Sequence, residues 1–367
     1  MRLRLAIWVV MGLGGVAGAK GPAVKVLTVG ASGAEFTTIQ AALNVAPAVN
    51  AAPAAGVAIR IAPGVYREVV HVDKPGIQLR GMGEDAAKVV LVYGNSAAST
   101  CGTGCSATLF VTGKDFFAGG MTISNDYGRT GEGRTGGGRT GEGRTGGGRT
   151  GGGRTGETVV PSQAVAVSVR ADRAVFRQVR LLGAQDTLYA SSLGCMKDGG
   201  ECTTGRQYFV DCYIEGHVDF IFGDAKAVFE GCEIRSIAHA AGGYVTAQSN
   251  TRKGQDAGYV FNHCRLTADE GAGVVYLGRP WRDYSTVIYM NTEMGAHITG
   301  AGWSEWKSAP VPRLPTAFYA EFNSSGPGAK VAEREGLAKQ LSAGEAKGYE
   351  TKAYLRGSDG WDTTAVK

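Results

Sequence analysis

Valine, isoleucine and phenylalanine recur along the chain in short bursts bounded by glycine, aspartate and asparagine, which predicts brief strands separated by tight turns. Within these bursts one frame repeats: Phe176-x-x-Val179-x-Leu181, Phe209-x-x-Cys212-x-Ile214, Phe229-x-x-Cys232-x-Ile234 and Phe261-x-x-Cys264-x-Leu266, with the phenylalanines 33, 20 and 32 residues apart. A unit of about twenty residues, lengthened twice by about a dozen, accounts for this spacing, and a fixed period of that size predicts a solenoid. Alternate residues of each unit are expected to face inward. If the units stack as parallel strands about 4.8 Å apart, equivalent positions lie one above another. Cys212 and Cys232 then become neighbours, and a disulfide between them is expected.

Three segments depart from this frame. Residues 128–157 hold six copies of GRTG, each followed by Glu or Gly, with no apolar residue to bury, and are expected to be a disordered insertion. Residues 331–350 mix Ala, Leu, Glu and Lys at helical spacing, with Tyr354, Leu355 and Trp361 following as apolar anchors, so a C-terminal helix and tail should pack on the solenoid. At the other end, Arg2 and Arg4 precede the apolar run Leu5 to Val16, and Ala17-Gly18-Ala19 supplies small residues for cleavage. Residues 1–19 therefore read as a secretory signal peptide, and 20–367 as one elongated domain. No later stretch approaches the roughly eighteen apolar residues of a membrane span.

The formal net charge of +5 suggests an acidic partner, but Arg2 and Arg4 leave with the signal and the GRTG tract holds six Arg against three Glu. The remainder, 5 − 2 − 3, is zero, so the body carries no electrostatic argument for nucleic acid or a membrane. The seven cysteines show no zinc-ligand spacing and fit an oxidising compartment. Cys101 with Cys105 and Cys195 with Cys202 are further expected pairs, the second pinning a loop between Ala190 and Arg206, while Cys264 is left as a small buried hydrophobe.

Candidate chemistry lies where polar residues interrupt apolar strands: Gln163 opening QAVAVSV, Gln185 and Asp186 in GAQDTLY, Asp219 in HVDFIFG, and Arg279 and Trp281 in YLGRPW. Buried carboxylates and amides need partners. Singly, each has an ordinary structural reading, such as a turn cap, an amide ladder or an ion pair. In order, however, GVYRE at 64–68, QAVAV at 163–167, GAQDTLY at 183–189, DFIFG at 219–223 and LGRPW at 277–281 resemble the motif series of the pectinesterase family. FTTIQAAL at 36–43 and GSDGWD at 357–362 extend that resemblance over nearly all of the chain outside 128–157.

The resemblance implies an all-β fold, a right-handed parallel β-helix, that hydrolyses methyl esters of polygalacturonate with water as co-substrate and without metal or cofactor. It implies Asp219 as nucleophile, Asp186 as general acid and base, Gln163 and Gln185 as oxyanion donors, and Arg279 as the partner of the nucleophile. Trp281, Tyr189 and Phe222 would line the cleft that holds methyl-esterified homogalacturonan. Serine chemistry has no support, since no G-x-S-x-G elbow occurs and the five histidines sit in no triad context, His217 alone falling beside the cleft. Other readings stay open at this level: a lyase or glycosidase on the same fold, a non-catalytic polysaccharide binder, or an esterase for another ester. The glutamine pair and Arg279 favour the ester chemistry. A secreted monomer is expected.

Overall fold

The computed structural model describes residues 24–48, 56–127, 161–195 and 202–364, together with the backbone of Arg134–Thr135 and Gly138–Arg139. Among these residues, three sheets of parallel strands, eleven, eight and seven strands wide, run the length of a solenoid. Through the middle of the solenoid each coil gives one strand to each sheet, and the outermost turns extend only the eleven-stranded sheet. Thus Ala174–Arg177, Arg180–Leu182 and Leu188–Ala190 are followed by Arg206–Val210, Tyr213–Gly216 and Ile221–Gly223, then by Lys226–Glu230, Glu233–Ser236 and Gly243–Gln248.

The repeat frame marks one corner of this coil. Phe176, Phe209, Phe229 and Phe261 pair in register on the eleven-stranded sheet. Their rings stack with centroids 4.8, 4.8 and 4.5 Å apart, and Tyr289 continues the column at 4.5 Å. All five are fully buried. Each such contact contributes about 0.5–1.5 kcal/mol beyond the area it buries. Two residues after each ring the chain turns through a left-handed residue, at Gln178, Asp211, Gly231, His263 and Asn291, and enters the eight-stranded sheet. His263 is thereby explained as a corner residue.

The expected Cys212–Cys232 disulfide does not form: Cys212, Cys232 and Cys264 are all buried free thiols. They stack as foreseen, one per coil, but strands in exact parallel register hold their Cα–Cβ bonds parallel at the strand spacing of about 4.8 Å, whereas a disulfide needs Cβ atoms about 3.8 Å apart. The thiols instead donate to main-chain oxygens of the preceding coil: Cys212 to Phe176, Cys232 to Phe209 and Cys264 to Phe229, at 3.4, 3.4 and 3.3 Å. The other two expected bridges, Cys101–Cys105 and Cys195–Cys202, are present.

Both ends of the column are capped. Helix Ile39–Val45 buries Ile39, Ala42 and Leu43 over the first coils, and Thr38 caps its amino end. Glu68, the last residue of GVYRE, accepts from the Ile39 and Gln40 amides at 2.7 and 3.0 Å, satisfying two donors the helix start leaves open. At the carboxyl end the single helix expected over 331–350 is not seen. Gly336 interrupts the pattern, and Lys339–Gln340 joins the eleven-stranded sheet as its last strand. Short helices follow at Ala343–Ala346 and Thr351–Leu355. Leu341, Ala346, Leu355 and Trp361 do pack as a tail on the outer face of that sheet, against Tyr208, Val228 and Val260. Asp359 of GSDGWD fastens the tail by accepting from Arg206 at 2.5 and 2.7 Å.

The disordered GRTG insertion and the signal peptide expected above lie outside the described residues, apart from the antiparallel pair Arg134–Thr135 and Gly138–Arg139. The tract leaves the strand Thr122–Asn125 and returns before Val167–Val169, which belongs to the seven-stranded sheet. Among the described residues no helix is long and apolar enough to cross a membrane.

Candidate active site

Asp186 and Asp219 occupy the same corner of consecutive coils, between the eight- and seven-stranded sheets. Leu188 pairs with Ile221, so the aspartates, two residues earlier on each strand, fall in register. Both adopt left-handed backbone, with φ of 63° and 51°. Each lies three residues after a glycine that has no room for a side chain: a Cβ on Gly183 would come within 2.4 Å of Thr187 Oγ1, and one on Gly216 within 2.3 Å of the Phe220 Cβ. The G-x-x-D spacing is therefore a requirement of the turn. The two corners are laced together, the Asp186 amide donating to Val218 O at 3.1 Å and the His217 amide to Ala184 O at 2.9 Å.

The carboxylates are 9 % and 6 % exposed and differ in company. Arg279 donates to both oxygens of Asp219, Nε to Oδ1 at 2.9 Å and Nη2 to Oδ2 at 2.7 Å, the bidentate geometry that most favours a charged pair. Burial raises the Asp219 pKa above the ordinary carboxylate range, and the hydrogen bonds and charge of Arg279 oppose that rise. Asp186 is pushed well above the range, first by burial and then by the negative charge of Asp219, with Arg279 giving partial relief. Burial works against the charge of Arg279 itself, but Asp219 more than offsets this. The two carboxyls thus differ in bias: Asp186 is pushed further toward the protonated form, while Asp219 has an ion pair that favours its charge.

Gln163 and Gln185 flank this pair on adjoining coils, tied by the Ala164 amide donating to Gln185 O at 3.1 Å. Among the described residues neither side-chain amide is engaged by another protein group, so both retain donors for a ligand. Tyr189 and Phe222 stack with centroids 4.7 Å apart, and Trp281 meets Phe222 edge-on at 6.0 Å. All eight residues singled out in the sequence lie on or beside the outer face of the seven-stranded sheet.

Two further residues escaped the sequence reading. The Arg279 guanidinium lies over the ring of Tyr244 at 3.8 Å and over Trp306 at 4.3 Å, so it is held between two aromatic faces in the plane that meets Asp219. Tyr244 sits on the coil after Asp219 and stacks on Tyr276. Its position in GYVTAQ, an apolar strand with an outward tyrosine, was a usable signal. Trp306 lies in a loop and offered none. His217 stacks on His239 at 4.4 Å, beside the aspartates rather than between them.

Comparison with known proteins agrees with this geometry. The family model described as Pectinesterase matches residues 25–133 and 156–358, breaking only inside the GRTG tract. Pectinesterase 31 of Arabidopsis thaliana is 32% identical over 322 residues, 85% of this chain and 86% of its own length. Pectinesterase QRT1 of the same plant is 31% identical over 338 residues, covering 90% and 76%. Among solved structures, the pectin methylesterase from carrot superimposes with a TM-score of 0.74 at 27% identity, covering 95% of this chain and 97% of that one. Pectin methylesterase PemA from Erwinia chrysanthemi gives 0.71 at 27% identity, covering 92% and 98%. The parallel β-helix, the residues matched and the extent of the match together place the chain in the pectinesterase family, as an enzyme of that class.

Proposed function

We propose that the protein removes methyl groups from polygalacturonate through Asp219 and Asp186, as a secreted monomer built of one domain over 20–367 with 128–157 inserted. The observation that carries the assignment of roles is the asymmetry between two in-register carboxyls, one gripped by Arg279 and the other, one coil away, raised by burial and by its neighbour's charge. A pectin methylesterase of 27% identity and TM-score 0.72 has been solved in complex with a hexasaccharide, which supports a polysaccharide lying in the equivalent cleft here.

Asp219 attacks the ester carbonyl carbon, and the carbonyl oxygen becomes an oxyanion. The amide N–H groups of Gln163 and Gln185 donate to it without introducing a competing charge. As the intermediate collapses, the C–OCH3 bond breaks and Asp186 gives its proton to the departing oxygen, releasing methanol and leaving an anhydride on Asp219. Asp186, now a carboxylate, takes a proton from water, whose oxygen adds to the acyl carbon. The C–O bond to Asp219 then breaks, and both aspartates return to their starting states. Tyr189, Phe222 and Trp281 supply the apolar surface against which the sugar rings rest. Two disulfides fit an oxidising compartment.

Incubation with highly methylated pectin is expected to release methanol with no fall in chain length. Shortened chains, or unsaturated ends, would replace this reading with a glycosidase or a lyase.

A further inference from the structure

His71 is the one histidine that the sequence reading left unplaced and that the fold brings onto the catalytic sheet. The strands Val70–Val72, Leu109–Val111, Val167–Val169, Leu188–Ala190 and Ile221–Gly223 are consecutive members of the seven-stranded sheet. Val70, Val72, Leu109, Val111, Val167, Val169, Leu188 and Ala190 point into the core. By the alternation of a strand, His71, Phe110, Ser168, Tyr189 and Phe222 point out. Their register pairs them one to the next in that order.

This outward row carries two stacked ring pairs with a serine between them. Tyr189 and Phe222 are the pair beside the aspartates. His71 and Phe110 form the other, with centroids 4.6 Å apart and planes within 2° of parallel. Phe110 packs on the same apolar cluster as Tyr189, Phe222 and Trp281, so the two pairs share one continuous surface. At about 4.8 Å per coil, Phe110 stands about 10 Å and His71 about 14 Å from Tyr189 along the solenoid axis. A polymer crossing the strands at Asp186 and Asp219 passes over both.

We propose that His71 and Phe110 form a further binding site for the polysaccharide, one that takes a galacturonate unit whose carboxyl is free rather than methylated. This rests on the polygalacturonate reading above and names what its cleft holds beyond the catalytic unit. The stacked rings have their planes across the solenoid axis, so they turn edges toward the ligand. Ring edges carry the positive side of the aromatic quadrupole, and the imidazole adds an N–H donor in either tautomer. Both features suit a carboxylate oxygen and give a methyl ester less. His71 is solvent-exposed.

The test is calorimetric binding of galacturonate trimers and octamers, each fully de-esterified or fully methylated, to the parent protein, His71→Ala and His71→Phe, all carrying Asp219→Asn so that no ester is hydrolysed during the titration. In the parent, the de-esterified octamer is expected to bind better than the trimer. In His71→Ala that advantage should shrink about fivefold, the loss of one well-placed contact, and the methylated octamer should lose less. His71→Phe keeps the ring edge without the N–H and should fall between them. Equal loss for both octamers would overturn the preference for a free carboxyl, and an unchanged length advantage in His71→Ala would overturn the site. Failure of the ester-hydrolysis reading shows separately, as absence of methanol release from methylated pectin by the protein with Asp219 intact.

Discussion

The solenoid uses one backbone device at two corners, to opposite ends. At the corner after the phenylalanine column, Gln178, Asp211, His263, Asn291 and Asn323 take left-handed conformations. Two of these side chains are joined along the edge, Asn323 donating to Asn291 at 3.0 Å, and Asn291 in turn donates to the adjacent Asn262 at 2.9 Å. Their polar groups find water or a neighbouring amide, and the strained backbone serves only to turn the chain. At the corner before the seven-stranded sheet, Asp186 and Asp219 adopt the same conformation, but their carboxyls are buried and one coil apart. There the turn forces two acids together in poor solvent. The sheet ladders and Arg279 hold the arrangement, and the outcome is a pair of unequal acidity. The same φ is thus structural where the side chain is solvated and chemical where it is not.

Substitutions at the two corners should therefore differ sharply. Asp219→Asn keeps the size and the left-handed preference of the residue but removes the nucleophile, and should lower kcat on methylated pectin about ten-thousandfold or more, as read by methanol release, with the fold intact. Replacing the middle of the phenylalanine column, Phe229→Ala, should cost about 3–5 kcal/mol of stability in denaturant unfolding, while kcat of the folded fraction stays near the parent value. Gln185→Ala removes one oxyanion donor and should cost about 3 kcal/mol in kcat, a hundredfold or more. At the solvated corner, Gln178→Gly relieves left-handed strain against a gain in unfolded-chain freedom, and should change stability by about 1 kcal/mol or less. A large activity loss in Gln178→Gly would break the contrast between the corners.

The acidity difference gives a pH signature. The Asp186 pKa is raised by folding, so its protonated form stabilises the fold fully below its unfolded value of about 3.9, and that contribution is lost as pH rises through the folded value. Unfolding free energy of the parent should therefore decline over that interval, and Asp186→Asn should flatten the decline. A decline of the same steepness in Asp186→Asn would show that another group is responsible.

What could be read in advance follows from what leaves a trace along one chain. The phenylalanine frame was legible because stacking in register demands the same residue at the same place on each coil, and the aspartates because they fall within an ordered series of motifs, since a lone polar residue in an apolar strand also has an ordinary structural reading. The Cys212–Cys232 bridge was misjudged because period reports which residues stack, whereas a disulfide also depends on the direction of their Cβ bonds. The carboxyl-terminal helix was placed too early because Ala, Leu, Glu and Lys at helical spacing do not reveal that the edge of the eleven-stranded sheet is open to Lys339–Gln340. The clasp of Tyr244 and Trp306 on Arg279 depends on coils and loops distant in sequence, and no local pattern announces it.

The central claim is that Asp186 keeps its proton while Asp219 does not. It is tested most directly by infrared or carbon-13 NMR titration of the carboxyl groups in the parent protein, Asp186→Asn and Asp219→Asn. A protonated carboxyl should persist in the parent at a pH where ordinary carboxyls have ionised, disappear in Asp186→Asn, and remain in Asp219→Asn, where burial still acts on Asp186. A signal that vanishes in Asp219→Asn and survives in Asp186→Asn would reverse the two roles.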